Sequence, residues 1–154
     1  MKKVFHFDAP RGKYHCDGAI ICCFDNRFDL SLRKFLKRRG IANPDLIKIA
    51  GGAQCLASPE RHTDREFLVR QIRKSIELHG TPRVLLMVHS DCGGYGGLAD
   101  RFNGDARAEA EHHGRELRQA VAFVQDAIST VTIEGYFFDF DGVWEVDLGR
   151  PIAP

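Results

Sequence analysis

The stretch Ala19-Ile20-Ile21-Cys22-Cys23-Phe24-Asp25-Asn26-Arg27 decides how this chain is read. Its first six residues are a short continuous apolar run, the mark of a strand covered on both faces. A polar segment follows at once, with a thiol, a carboxylate and a guanidinium on Cys23, Asp25 and Arg27. A second run of the same design, Val84-Leu85-Leu86-Met87-Val88, leads directly into His89-Ser90-Asp91-Cys92. Two buried strands that both end in polar, metal-ligating residues suit an open α/β sheet, where ligands collect outside the carboxyl ends of the strands.

The segments around these runs fit that plan. Asp29-Leu30-Ser31-Leu32 opens a helix through Arg39, with Leu32, Phe35 and Leu36 on one side and Gly40 as terminator. The cluster Lys37-Arg38-Arg39 complements the dipole at that helix end and is no binding patch. Leu46 to Ala50 reads as a second strand, ending in Gly51-Gly52. Thr63 and Glu66 form a capping box ahead of Leu68, Ile72 and Ile76, and Gly80 and Pro82 stop that helix. Leu117, Val121, Val124 and Ile128 place a long helix over 106–128. Tyr136–Phe140 and Val143–Val146 flank Asp141-Gly142, a favoured hairpin turn, and Lys3–Phe7 reads as an edge strand. The predicted fold is α/β: a mostly parallel central sheet flanked by helices, with an antiparallel C-terminal edge hairpin, in a single domain over 1–154.

Composition narrows the function. A net charge of +1 without a basic stripe gives no electrostatic case for nucleic acid. No apolar stretch is long enough to span a bilayer, and Met1–His6 has no signal-peptide core, so a cytoplasmic location is expected. Five cysteines (Cys16, Cys22, Cys23, Cys55, Cys92) is an odd count, which fits reduced thiols and metal ligands better than a disulfide framework.

Side chains alternate across a strand, so Cys23, Asp25 and Arg27 share a face if extended geometry persists, with Cys22 pointing into the packing. His89 and Cys92 lie three apart, where a strand leaving its sheet can aim both at one point. The two thiolates and one imidazole suit Zn2+ and leave a fourth position for water, hydroxide or a carboxylate.

The order of these motifs, Cys-x-Asp-x-Arg then His-x-x-Cys, resembles the β-class carbonic anhydrases. The likeness is good over residues 19–97 and looser over 130–147, as of a short, divergent member. It implies zinc on Cys23, His89 and Cys92, with Asp25 and Arg27 as the catalytic pair. The implied activity is reversible hydration of carbon dioxide to bicarbonate through a zinc-bound hydroxide, and the implied assembly is a homodimer or dimer-based oligomer. In a closed state Asp25 would itself be the fourth ligand. Lys48-Ile49 stands where the family has Arg-Asn, a departure that keeps two alternatives open: a related zinc hydrolase of carbon disulfide or carbonyl sulfide, or a catalytically silent zinc-binding module.

The remaining candidates read more plainly. His112-His113 belongs to a solvated helix face. Tyr95 fits the pocket mouth and an ordinary surface aromatic equally well. Cys22 and Cys55 are packing residues, and His15 and Cys16 reach the site only if their loop folds over it. Gly93-Gly94-Tyr95-Gly96-Gly97 lacks the ending of a phosphate-binding loop and reads as a tight turn.

Overall fold

Strand alternation and helix amphipathicity divide the apolar residues into two sets, one on each face of a sheet. The computed structural model describes residues 1–148, so the last six residues of the expected 1–154 domain lie outside the described part. The elements run β1 (Gly18–Cys22), a 3₁₀ turn (Asn26–Phe28), α1 (Asp29–Arg38), β2 (Pro44–Lys48), α2 (Gln54–Ala57), α3 (His62–His79) and β3 (Arg83–His89). A second 3₁₀ turn (Gly93–Tyr95), α4 (Leu98–Phe102), α5 (Ala106–Ala127), β4 (Thr132–Phe138) and β5 (Val143–Glu145) complete them. The sheet order is β2-β1-β3-β4-β5, with parallel pairing except for the antiparallel β4–β5 edge.

Odd and even residues of each strand feed different cores. Ala19, Ile21, Val84, Leu86 and Val88 pack under α2, α3 and α5, against Leu56, Leu68, Ile72, Leu117 and Val121. Ile20, Cys22, Leu85, Met87 and Phe138 face the other way, onto Phe28, Leu32 and Leu36. Burial on both faces is why β1 and β3 read as unbroken apolar runs.

Two local expectations change. Residues 1–17 form neither helix nor strand, and Val4, Phe5 and Phe7 stand exposed, so the expected Lys3–Phe7 edge strand is not formed. Both sheet edges, β2 and β5, are left without it. The Thr63–Glu66 capping box is also absent, because α3 begins at His62 and Arg61 holds the cap position with no side-chain bond. α5 instead gains an unexpected cap, as Asp105 accepts from the N–H groups of Arg107 and Ala108 at 3.0 Å. The hairpin forms as expected, with Asp139 Oδ1 accepting from Asp141 and Gly142 N–H across the turn.

One glycine carries the junction between β2 and the ends of β1 and β3. Gly52 has φ +57°, and a Cβ there would meet the Met87 carbonyl oxygen at 2.3 Å and Cys23 N at 3.0 Å. Gly40 also has positive φ (+72°), but among the described residues nothing lies within 4 Å of its would-be Cβ. Gly40→Ala should therefore cost only left-handed strain, about 1–2 kcal/mol. Gly52→Ala should cost at least about 2 kcal/mol more by urea denaturation, because backbone has to move. Equal costs would contradict the close approach.

Candidate metal centre

β1 and β3 are parallel neighbours, with Ile21 opposite Leu86, so their carboxyl ends deliver Cys23 and His89 side by side. The backbone beyond β3 then folds into the second 3₁₀ turn, where Cys92 O accepts from Tyr95 and Gly97 N–H. That turn approaches the β2 exit so closely that a Cβ on Gly94 would lie 2.7 Å from Gly51 N. Glycine at this approach is a steric requirement of the site.

Cys23 Sγ and Cys92 Sγ are 3.9 Å apart. Two sulfurs on a tetrahedral zinc at about 2.3 Å each would be separated by about 3.8 Å. One ligand atom each from Cys23, His89 and Cys92 falls within 4.8 Å of the others. His89 is 4% exposed. Its Nδ1 bonds the Ser90 carbonyl oxygen at 2.8 Å, and a carbonyl only accepts, so Nδ1 carries the proton. Nε2 is thereby left as the lone-pair nitrogen, buried and without a hydrogen-bond partner among the described residues. A cation fits this donor set: two sulfurs at the spacing of ligands on one zinc, and a buried imidazole nitrogen with no hydrogen-bond partner among the described residues.

Cys92 donates its S–H to Cys23, which holds the Cys23 thiol well below its ordinary range despite burial, while the same contact and desolvation push Cys92 up. Burial pulls His89 down, but the neighbouring Cys23 and the Ser90 carbonyl raise it overall.

Asp25 and Arg27 meet, though not through strand alternation. β1 ends at Cys22, and Asp25 is the cap of the first 3₁₀ turn, with Oδ1 accepting Arg27 N–H at 2.9 Å. Arg27 then closes back on it, Nε at 3.0 and 3.1 Å from the two oxygens and Nη2 at 2.6 Å from Oδ2. The other side of the guanidinium grips Asp91, Nη1 to Oδ2 and Nη2 to the carbonyl oxygen, both at 2.9 Å. Asp25 Oδ2 stays 3.9 Å from His89 Nε2, beside the ligand atoms and bound to Arg27.

Next to Asp25 and His89 lies a pocket walled by Phe28, Leu32, Met87, Val88 and Phe138. Lys48 and Asp29, which are ion-paired, also line it. Ile49, the apolar departure expected near the cleft, packs instead against the α2–α3–α5 core.

Several other side chains fall away from their expected places. His113 is fully buried, not solvated, between Tyr95 and Phe137, and burial drives its imidazole down to about 3. Tyr95 is 2% exposed, so neither the pocket mouth nor the surface describes it. Cys16 is buried at the opposite end of the sheet, its N–H on the His79 carbonyl, so that loop does not cover the site. Cys22 is buried and lines the pocket, and Cys55 is half-buried. The sequence reading missed Ser90, Asp91 and Glu109. Asp91, inside His-x-x-Cys, adopts φ +53°, a conformation that aspartate tolerates better than most residues.

A crossover α/β sheet with a Cys-His-Cys cluster at its carboxyl edge defines the class, and comparison with known proteins supplies the family. Residues 14–148 match the family described as "Putative carbonic anhydrase". The chain belongs to that family, as a divergent member of the β-carbonic anhydrases. No curated protein sequence matches it. Among solved structures it is similar to a β-carbonic anhydrase isoform from Trichomonas vaginalis (16% identity, 94% of this chain and 90% of that one, TM-score 0.61). It is also similar to a carbonic anhydrase from Glaciozyma antarctica (22%, 88% and 84%, TM-score 0.57) and to the apo form of a carbon disulfide hydrolase (13%, 88% and 80%, TM-score 0.56). At these identities the likeness establishes the α/β fold.

The hydrogen bonds from Arg27 hold the Asp25 carboxyl down to about 2. Stability from this pair is therefore complete above the ordinary carboxylate value of about 3.9 and is lost as pH falls through the depressed one. Carbon-detected NMR of the Asp25 carboxyl should give a midpoint near 2, moving up to the ordinary range in Arg27→Ala. An ordinary midpoint in the unaltered protein would contradict the ion pair.

Proposed function

We propose that this protein catalyses the reversible hydration of carbon dioxide to bicarbonate, with zinc held by Cys23, His89 and Cys92. The observation that carries the reading is the placement of Asp25. Arg27 bonds both of its oxygens, keeps it ionised and holds it 3.9 Å from His89 Nε2. When bound, zinc supplies a Lewis acid that brings the pKa of water to about 7.

The protein's own groups do the rest. Asp25 accepts a hydrogen bond from the attacking oxygen and turns its lone pair toward the substrate carbon. Arg27 fixes that carboxylate by a charge-assisted fork. Phe28, Leu32, Met87, Val88 and Phe138 offer a small linear molecule an apolar wall. The proton released as bicarbonate forms leaves to buffer.

The same apolar wall favours a second reading, in which carbon disulfide or carbonyl sulfide is the substrate and hydrogen sulfide a product. The site also fits a homodimer: Phe24 and Leu30, near Arg27 in sequence, are exposed, as is Phe140, which lies against both Phe28 and the Arg27 guanidinium. A second copy of the chain would cover them. Among the described residues no helix is long and apolar enough to cross a membrane.

Stopped-flow carbon dioxide hydration by zinc-loaded protein at pH 6.5 to 9 tests the reading. Activity should rise with pH, and Asp25→Asn should retain zinc yet lose at least about 100-fold in kcat/KM. Absence of turnover at full zinc occupancy would overturn it. Hydrogen sulfide release from carbon disulfide would then support the sulfur substrates, and silence on both a zinc-stabilised module. Chelation should lower the unfolding midpoint under any of these readings, because metal binding is coupled to folding.

A further inference from the structure

Glu109 lies on α5, distant in sequence from one ligand motif and 17 residues beyond the other, yet it is 1% exposed and reaches the loop between His89 and Cys92. One carboxylate oxygen accepts the Ser90 hydroxyl and the other accepts Asp91 N–H at 2.7 Å. Ser90 and Asp91 are the two residues between the ligands, and each passes the constraint on. The Ser90 carbonyl receives the His89 Nδ1 proton, while Ser90 N–H is tied to the Phe138 carbonyl at 2.7 Å. Asp91 has every polar group engaged: N–H on Glu109, Oδ1 on Leu98 N–H at 3.0 Å, and Oδ2 and the carbonyl on Arg27. These bonds hold it in a left-handed backbone conformation.

Packing gives no reason for a carboxylate here. The neighbouring His113 is fully buried, with Nε2 3.8 Å from Glu109 Oε1, and an apolar side chain would avoid the cost of burying a charge. A side chain with two hydrogen-bonding atoms at its tip satisfies Ser90 and Asp91 together, and an apolar one satisfies neither. We propose that Glu109 is a positioning residue of the metal centre: through Ser90 it sets the His89 ring, and through Asp91 it sets Arg27 and hence Asp25. Its kinetic consequence rests on the carbonic anhydrase reading; its effect on metal geometry does not.

The test compares Glu109→Gln, Glu109→Leu and Ser90→Ala, loaded with zinc for kinetics and with cobalt(II) for spectroscopy. Glutamine keeps an acceptor for Asp91 N–H, and its amide can donate to a Ser90 hydroxyl turned to accept. Leucine keeps the volume and loses both bonds. Folded Glu109→Leu should lose about tenfold or more in kcat with KM changed less than about twofold, and its cobalt absorption bands should shift. Glu109→Gln should stay within about threefold of the unaltered protein, with unshifted bands. A residue that merely fills space would give the opposite order and overturn the proposal.

If Glu109→Leu does not fold, Ser90→Ala, which drops one of the two bonds, takes its place and should show a loss of about threefold with shifted bands. Unchanged turnover and unchanged bands in the folded variant overturn the positioning role. Inactivity of the unaltered, zinc-loaded protein overturns the carbonic anhydrase reading instead, and the cobalt bands then decide the role of Glu109 alone.

Discussion

Arg27 stands between two carboxylates that arrive on different strands, Asp25 from the end of β1 and Asp91 from the end of β3. That fork joins the two halves of the candidate site. Cys23 stands two residues before Asp25 and Cys92 one residue after Asp91, so fixing the guanidinium fixes the approach of both thiols. The parallel pairing of β1 with β3 brings the strand ends together, and the glycines at 51, 52 and 94 allow the loops beyond them to touch. The fork adds to these a direct link between the two loops.

Such a fork contributes orientation more than stability. The Arg27 and Asp91 side chains are 44% and 40% exposed, and ion pairs so open to water are worth about 0–1 kcal/mol. The bidentate geometry nevertheless selects one arrangement of the carboxylates. Stability comes from beneath, where both sheet faces are buried and where Glu109 satisfies the backbone and hydroxyl donors of the His89–Cys92 loop. The metal centre is thus supported from the core side and left adjustable on the solvent side.

Sheet, helices and hairpin were legible because their signals are local: continuous apolar runs for β1 and β3, four-residue spacing in α3, Asp141-Gly142 in the hairpin. The juxtaposition of Cys23, His89 and Cys92 was legible because both motifs sit at strand ends, which parallel pairing brings together. The rest depended on three-dimensional partners. Asp25 and Arg27 meet through a 3₁₀ turn that period-two reasoning does not foresee. His113 and Glu109 look like surface residues in a charged helical stretch, and only the docking of α5 on the sheet buries them. Lys3–Phe7 has strand-like composition, but composition cannot supply a pairing partner. The Lys48-Ile49 departure likewise changed meaning in three dimensions, with Ile49 packed against the core and Lys48 paired to Asp29.

Asp25 held by Arg27, as proposed, would leave the fourth metal position to water. A high-resolution crystal structure of the zinc-loaded protein at pH 8 tests it most directly. It should show zinc bonded to Cys23, His89 and Cys92 with a water-derived fourth ligand, and Asp25 still in the Arg27 fork. Asp25 turned away from Arg27 and bonded to the zinc would contradict it.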